Sequence, residues 1–152
     1  YEIMPSLVGS GDVYKRQVVI DDSATVCAAL RKILQSIGLN VRVAASAEDG
    51  LEMILADRPD LIFLDIVLPK MNGFSALRVL RRNPLTKDIP VIMISGNEQA
   101  TEQFFGSAIG ADDFMKKPFS RLEVFSRMEH LLDEQHIPRR RAPLTQPAPL
   151  GH

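Results

Sequence analysis

Leu61-Ile62-Phe63-Leu64 is an unbroken apolar run that ends directly on Asp65. A strand with one wet face alternates apolar and polar residues, whereas a strand covered on both faces does not. Val91-Ile92-Met93-Ile94, ending on Ser95-Gly96, has the same character. Val18-Val19-Ile20 is a shorter version that ends on Asp21-Asp22. Runs of this kind need helices on both sides of their sheet, which confines the chain to the α/β class with a parallel sheet.

The stretches between the runs supply those helices. Ser23 is a good N-cap and is followed at helical spacing by Val26, Leu30, Ile33, Leu34 and Ile37, with Gly38 as the stop. Val41 to Ala44 reads as a strand, and Ser46 with Asp49 three residues on starts a second helix that Pro59 closes. A loop containing Pro69 and Gly73 leads into a helix over Phe74 to Arg82, with Leu77 and Leu80 inward. Glu98 to Ile109 is a fourth helix of looser pattern, Phe114-Met115-Lys116 a short strand, and Arg121 to Leu132 the last helix. Five strands alternating with five helices predict a three-layer α/β sandwich around a parallel sheet.

Both ends fall outside this pattern. Asp12-Val13-Tyr14-Lys15-Arg16-Gln17 is what translation of a sequencing-library transposon end gives, and the residues before it resemble its adapter. Residues 1–17 are therefore read as non-native adapter translation or a disordered leader, with the first strand beginning in borrowed sequence. Residues 18–134 form the folded body. Residues 135–152 carry Arg139-Arg140-Arg141 and four of the ten prolines, and read as a disordered tail or linker. The net charge of −1 calls for neither nucleic acid nor an anionic membrane as partner. The single cysteine, Cys27, rules out an internal disulfide, and no apolar run approaches the roughly 20 residues that span a bilayer. The expected location is the cytoplasm.

In an open parallel α/β sheet, ligands bind outside the carboxyl ends of the strands. There the sequence places Asp21 and Asp22, Asp65, Ser95, and Lys117 just beyond the last strand. Three carboxylates brought together raise one another's pKa and call for a cation, and an all-oxygen ligand set selects a hard one such as Mg²⁺. A carboxylate beside such an ion can act as a nucleophile toward phosphorus, with Lys117 neutralising charge on the transferring group.

Asp21-Asp22, Phe63-Leu64-Asp65-Ile66-Val67-Leu68-Pro69, Met71-Asn72-Gly73, Ser95-Gly96 and Lys117-Pro118-Phe119, taken in order, resemble the signature of the receiver domain of response regulators, the CheY-like superfamily of two-component signal transduction. The resemblance runs from Val18 to about Asp133. It implies a flavodoxin-like (βα)5 sandwich with strand order 2-1-3-4-5. It also implies that Asp65 is the phosphoacceptor, that Asp22, Asp65 and the backbone carbonyl of Val67 ligate Mg²⁺, and that Asp21 acts through a water. Lys117 would pair with the phosphoryl group, ahead of a cis bond to Pro118. Ser95 and Phe114 would form the switch pair. The implied partners are a sensor histidine kinase or phosphotransfer protein as donor, and an output protein or domain at the face of helix 4, strand 5 and helix 5. Gln103, Phe104 and Phe105 are candidates for that face.

Plainer readings stand beside these. Asp21 and Asp22 could cap the first helix, Phe114 could be an ordinary core phenylalanine, Cys27 is a small core residue, and His130 and His136 lack any metal-ligand grouping. The alternative function is a constitutive docking or scaffold receiver that keeps the fold without the chemistry. A phosphatase of the aspartyl-phosphate type would want a second acid two residues after the nucleophile, where this chain has Val67. That residue and Asn97 occupy the positions that tune phosphoryl lifetime in the family, and the branched apolar Val67 is expected to slow self-dephosphorylation.

Overall fold

The computed structural model describes residues 16–96, 110–132 and Arg140. The elements are β1 (Arg16–Ile20), α1 (Ala24–Gln35), β2 (Asn40–Ala44), α2 (Ala47–Ala56), β3 (Leu61–Asp65), α3 (Gly73–Arg82), β4 (Val91–Ser95), β5 (Asp113–Lys116) and α4 (Arg121–His130). The fourth helix expected from the sequence, with Gln103, Phe104 and Phe105 on it, lies outside the described residues, as do Asn97 and His136. Helix α4 is thus the fifth helix of the sequence pattern.

All strand pairs are parallel, and the sheet order is β2-β1-β3-β4-β5. β3 and β4 are buried at every position, which is why neither shows the alternation of a half-wet strand. Their side chains still divide between two faces. Ile62, Leu64, Val91 and Met93 pack with Ile54 of α2 and Phe74, Leu77 and Leu80 of α3. Leu61, Phe63, Ile92 and Ile94 pack with Leu30 and Leu34 of α1 and Val124, Phe125 and Met128 of α4. Two helical layers therefore enclose one sheet, as the uncharged runs require.

Helix starts follow the expected chemistry. Ser23 accepts from the Val26 N–H, and Ser46 from the Asp49 N–H. Ser120 caps α4 in the same way, and Asn72 caps α3. The ends shift by a residue or two: α2 stops at Ala56, before Pro59, and β1 starts at Arg16, two residues ahead of the body's expected start. Parallel pairing of Arg16 with Asn40 and of Gln17 with Val41 and Leu61 draws those two residues into the sheet.

Candidate functional site

The carboxyl ends of β1, β3 and β4 lie side by side, because Ile20 is in register with Leu64 and Asp65 with Ile94. The next residue of each flanking strand is then Asp21 or Ser95. Asp21 is fully buried, Asp65 is 3 % exposed, Ser95 is 1 % exposed, and Asp22 is open to solvent. One carboxylate oxygen from each of Asp21, Asp22 and Asp65 falls within 4.8 Å of the others.

The acids sit where they do for local reasons. The Asp21 N–H donates to the Ala44 carbonyl, so the strand bonding runs one residue past β1. Asp21 Oδ1 accepts from the Ser23 N–H at 2.8 Å, just ahead of the helix, whose N-cap is Ser23 itself. Its other oxygen, Oδ2, lies 2.8 Å from Lys117 Nζ. Asp65 Oδ1 accepts from the Val67 N–H at 3.3 Å, and Asp65 Oδ2 from Lys117 Nζ at 3.4 Å.

Lys117 is the one ammonium between these acids among the described residues. Its backbone N–H donates to the Ser95 carbonyl, and its bond to Pro118 is cis. A Cβ added at Gly96 would touch the Lys117 side chain at 3.4 Å, so Gly96 borders the lysine stem. Burial alone would lower the Lys117 ammonium. Its bond to Asp21 and the charge of Asp65 outweigh burial and hold it above its ordinary value. Asp65 is pushed up to about 6, first by burial and then by Asp21, while Lys117 and the Val67 N–H pull it down without cancelling the rise. A carboxyl so poised still lacks compensating positive charge.

Such a donor set suits a small hard cation. It consists of oxygens alone, two of the three carboxylates are buried, and the Asp22 side remains open for water. Two further arrangements shape the site's rim. The start of α3 presses on β3: the Gly73 N–H donates to the Ile66 carbonyl, and a Cβ at Gly73 would overlap the Asp65 carbonyl oxygen. Between them runs the loop from Ile66 to Asn72, with Lys70 at φ 62 and Val67 51 % exposed at the mouth.

Phe114 is half-buried on the α2–α3 side of the sheet, packed against that core, a position compatible with either reading made of it. Cys27 is buried, and its thiol donates to the Asp21 carbonyl at 3.2 Å, consistent with a small packed side chain. His130 is exposed at the end of α4. The sequence pattern did not single out Gly73 as a spacer against the Asp65 backbone, nor the arginine cluster around Asp112. The acid pair Asp112-Asp113, at the start of β5, marks one side of that cluster, but nothing in the sequence pairs it with Arg81.

Comparison with known proteins agrees with this geometry. The family model for the response regulator receiver domain matches residues 18–129. Response regulator MprA of Mycobacterium ulcerans is 36% identical over 117 residues, covering 77% of this chain and 50% of the relative. The alkaline phosphatase synthesis transcriptional regulatory protein PhoP of Bacillus subtilis is 33% identical over 123 residues, covering 81% and 50%. The chain thus spans about half the length of the curated relatives it matches. Among solved structures, a putative response regulator from Chloroflexus aurantiacus superposes with a TM-score of 0.70 at 32% identity, covering 78% of this chain and 97% of the other. The chemotaxis protein CheY4 of Vibrio cholerae gives a TM-score of 0.70 at 26% identity, covering 79% and 100%. Fold, strand order, acid cluster and sequence match therefore agree: this chain belongs to the response regulator receiver domain family of two-component signalling.

Proposed function

We propose that the domain is a phosphorylation switch in which Asp65 accepts a phosphoryl group in a Mg²⁺-dependent reaction. The observation that carries this reading is the convergence of the Asp21, Asp22 and Asp65 oxygens within 4.8 Å, with Lys117 beside two of them. Asp22, Asp65 and the Val67 carbonyl would hold the ion, with Asp21 acting through a water. When bound, the ion supplies positive charge opposite the phosphoryl oxygens.

The chain's own residues do the rest. An Asp65 oxygen forms the new bond to phosphorus while the bond from phosphorus to the donor breaks, leaving an acyl phosphate on Asp65. The donor is the phosphohistidine of a sensor histidine kinase or phosphotransfer protein, whose imidazole leaves. Lys117 reorients from Asp65 to the incoming phosphoryl oxygens, and its held positive charge offsets theirs. The Ser95 hydroxyl, at the end of the neighbouring strand, hydrogen-bonds the product phosphoryl group. Phe114 responds from the α2–α3 side. The resulting shift of a two-state equilibrium changes affinity for an output protein or domain on the side of β5 and α4.

The test is intact mass after incubation with acetyl phosphate, with and without Mg²⁺, for the parent and Asp65→Asn. The reading predicts one phosphoryl group gained only by the parent and only with Mg²⁺. A folded parent that binds Mg²⁺ yet gains none would instead favour a constitutive docking receiver.

A further inference from the structure

Across the molecule from the acid cluster, at the amino end of β5, a second buried carboxylate gathers charge. Asp112 is fully buried. Its N–H donates to the Val91 carbonyl, and its Oδ2 accepts from the Val91 N–H at 2.9 Å, so it ties the start of β4 to the corner before β5. Oδ2 also takes Arg81 Nη2 from the end of α3 at 2.9 Å, and Arg81 Nε donates to the Gly110 carbonyl at 2.8 Å. Arg140 uses the same two receptors. Its Nε donates to Asp112 Oδ1 at 3.2 Å and its Nη2 to the Gly110 carbonyl at 2.9 Å.

The geometry points to Arg140 as a strap that fastens the C-terminal part of the chain to the Gly110–Asp112 corner. Both receptors are buried, the contact is made at two points, and the pairing of a planar fork with a carboxylate and a carbonyl suits arginine and not lysine. Two guanidiniums on one carboxylate repel. Arg81 is pushed down to about 10, first by burial and then by Arg140, against the pull of Asp112 and Asp88. Arg140 keeps a quarter of its side chain in solvent, which limits the cost of that repulsion. Its position lies past residues 18–129, which match the receiver family model. The corner it grips leads straight into β5, which carries Phe114 and runs up to Lys117.

This inference stands apart from the phosphorylation reading and is tested on the unphosphorylated full chain. Arg140→Ala is compared with Arg140→Lys and with Arg139→Ala, a control that removes the same charge one residue away. Hydrogen exchange of the 110–113 segment should quicken several-fold in Arg140→Ala, the melting temperature should fall by about 2–5 °C, and Arg140→Lys should resemble Arg140→Ala. Arg139→Ala should match the parent. In the parent itself, the Arg140 Nε–H signal should exchange with solvent more slowly than that of an exposed arginine, a reading that needs no variant to fold. An Arg140 Nε–H that exchanges as fast as an exposed one, or an Arg140→Ala protein indistinguishable from Arg139→Ala, would overturn the strap.

Discussion

Lys117 Nζ lies 2.8 Å from Asp21 Oδ2 but 3.4 Å from Asp65 Oδ2. The ammonium is thus engaged mainly by the buried acid that does not carry the proposed chemistry. Asp65 is left with the weaker contact to the lysine, so burial first and the charge of Asp21 second push its carboxyl up to about 6 despite an ammonium in reach.

That imbalance has a signed consequence for stability. The folded state holds the Asp65 proton more tightly than the unfolded state does, so the contribution of Asp65 to the stability of the metal-free protein should be lost as pH rises from about 4 through about 6. Asp65→Asn removes the charge without removing the Lys117–Asp21 pair. It should stabilise the metal-free domain by on the order of 1–3 kcal/mol at pH 7 and by little near pH 4. Urea unfolding at the two pH values checks this, and an equal effect at both would contradict it.

Gly73 is where α3 meets the backbone of the proposed phosphoacceptor. A Cβ there would overlap the Asp65 carbonyl oxygen and come within 2.9 Å of Ile66 Cα, neither of which is a flexible side-chain end. Gly73→Ala should cost about 2–3 kcal/mol and shift the loop that carries Val67. Chemical denaturation would show the loss, and phosphorylation by acetyl phosphate should slow in the same variant. Parent-like stability and rate would mean that α3 can retreat freely.

Val67, half exposed at the mouth beside Asp65, offers an attacking water no polar atom from its side chain. Val67→Asn should therefore shorten the life of the phosphorylated form several-fold. Loss of the added phosphoryl mass, followed over time in both proteins, decides it, and identical decay would remove Val67 from the account.

Gln17 bears on how the chain begins. It is fully buried, in register with Val41 and Leu61 of the α1–α4 core, and neither side-chain polar atom has a hydrogen-bond partner among the described residues. An amide in that state costs about 1–3 kcal/mol. The reading of residues 1–17 as foreign to the fold predicts that the site suits an apolar side chain, so Gln17→Met should raise stability by about 1–2 kcal/mol. A loss on that substitution would show that the amide is satisfied in solution.

The sheet was legible because β3 and β4 are buried on both faces and so carry no polar position until Asp65 and Ser95. Ser23 and Ser46 marked their helices for an equally local reason, a side-chain oxygen within reach of the N–H three residues on. The order of the strands was not local. It came from the resemblance, since nothing in the apolar run of β1 says that β3 will lie beside it. The acid cluster could be placed because parallel strands all end on one side of the sheet, and the order that sets β1 beside β3 brings Asp21 and Asp65 together there. Arg81 and Asp112 escaped notice because they are 31 residues apart and on different elements, with no shared motif. Gln17 escaped because it was counted with the leader of residues 1–17, and only pairing with β2 and β3 draws it into the sheet.

The measurement closest to the central claim is the position of the phosphoryl group. Protein treated with acetyl phosphate and Mg²⁺ is reduced with borohydride, which converts an aspartyl phosphate to homoserine, and its peptides are then mapped by mass spectrometry. The account predicts homoserine at position 65 and unmodified Asp21 and Asp22. Modification at Asp21 or Asp22, or a phosphoryl group on the protein with Asp65 intact, would contradict it.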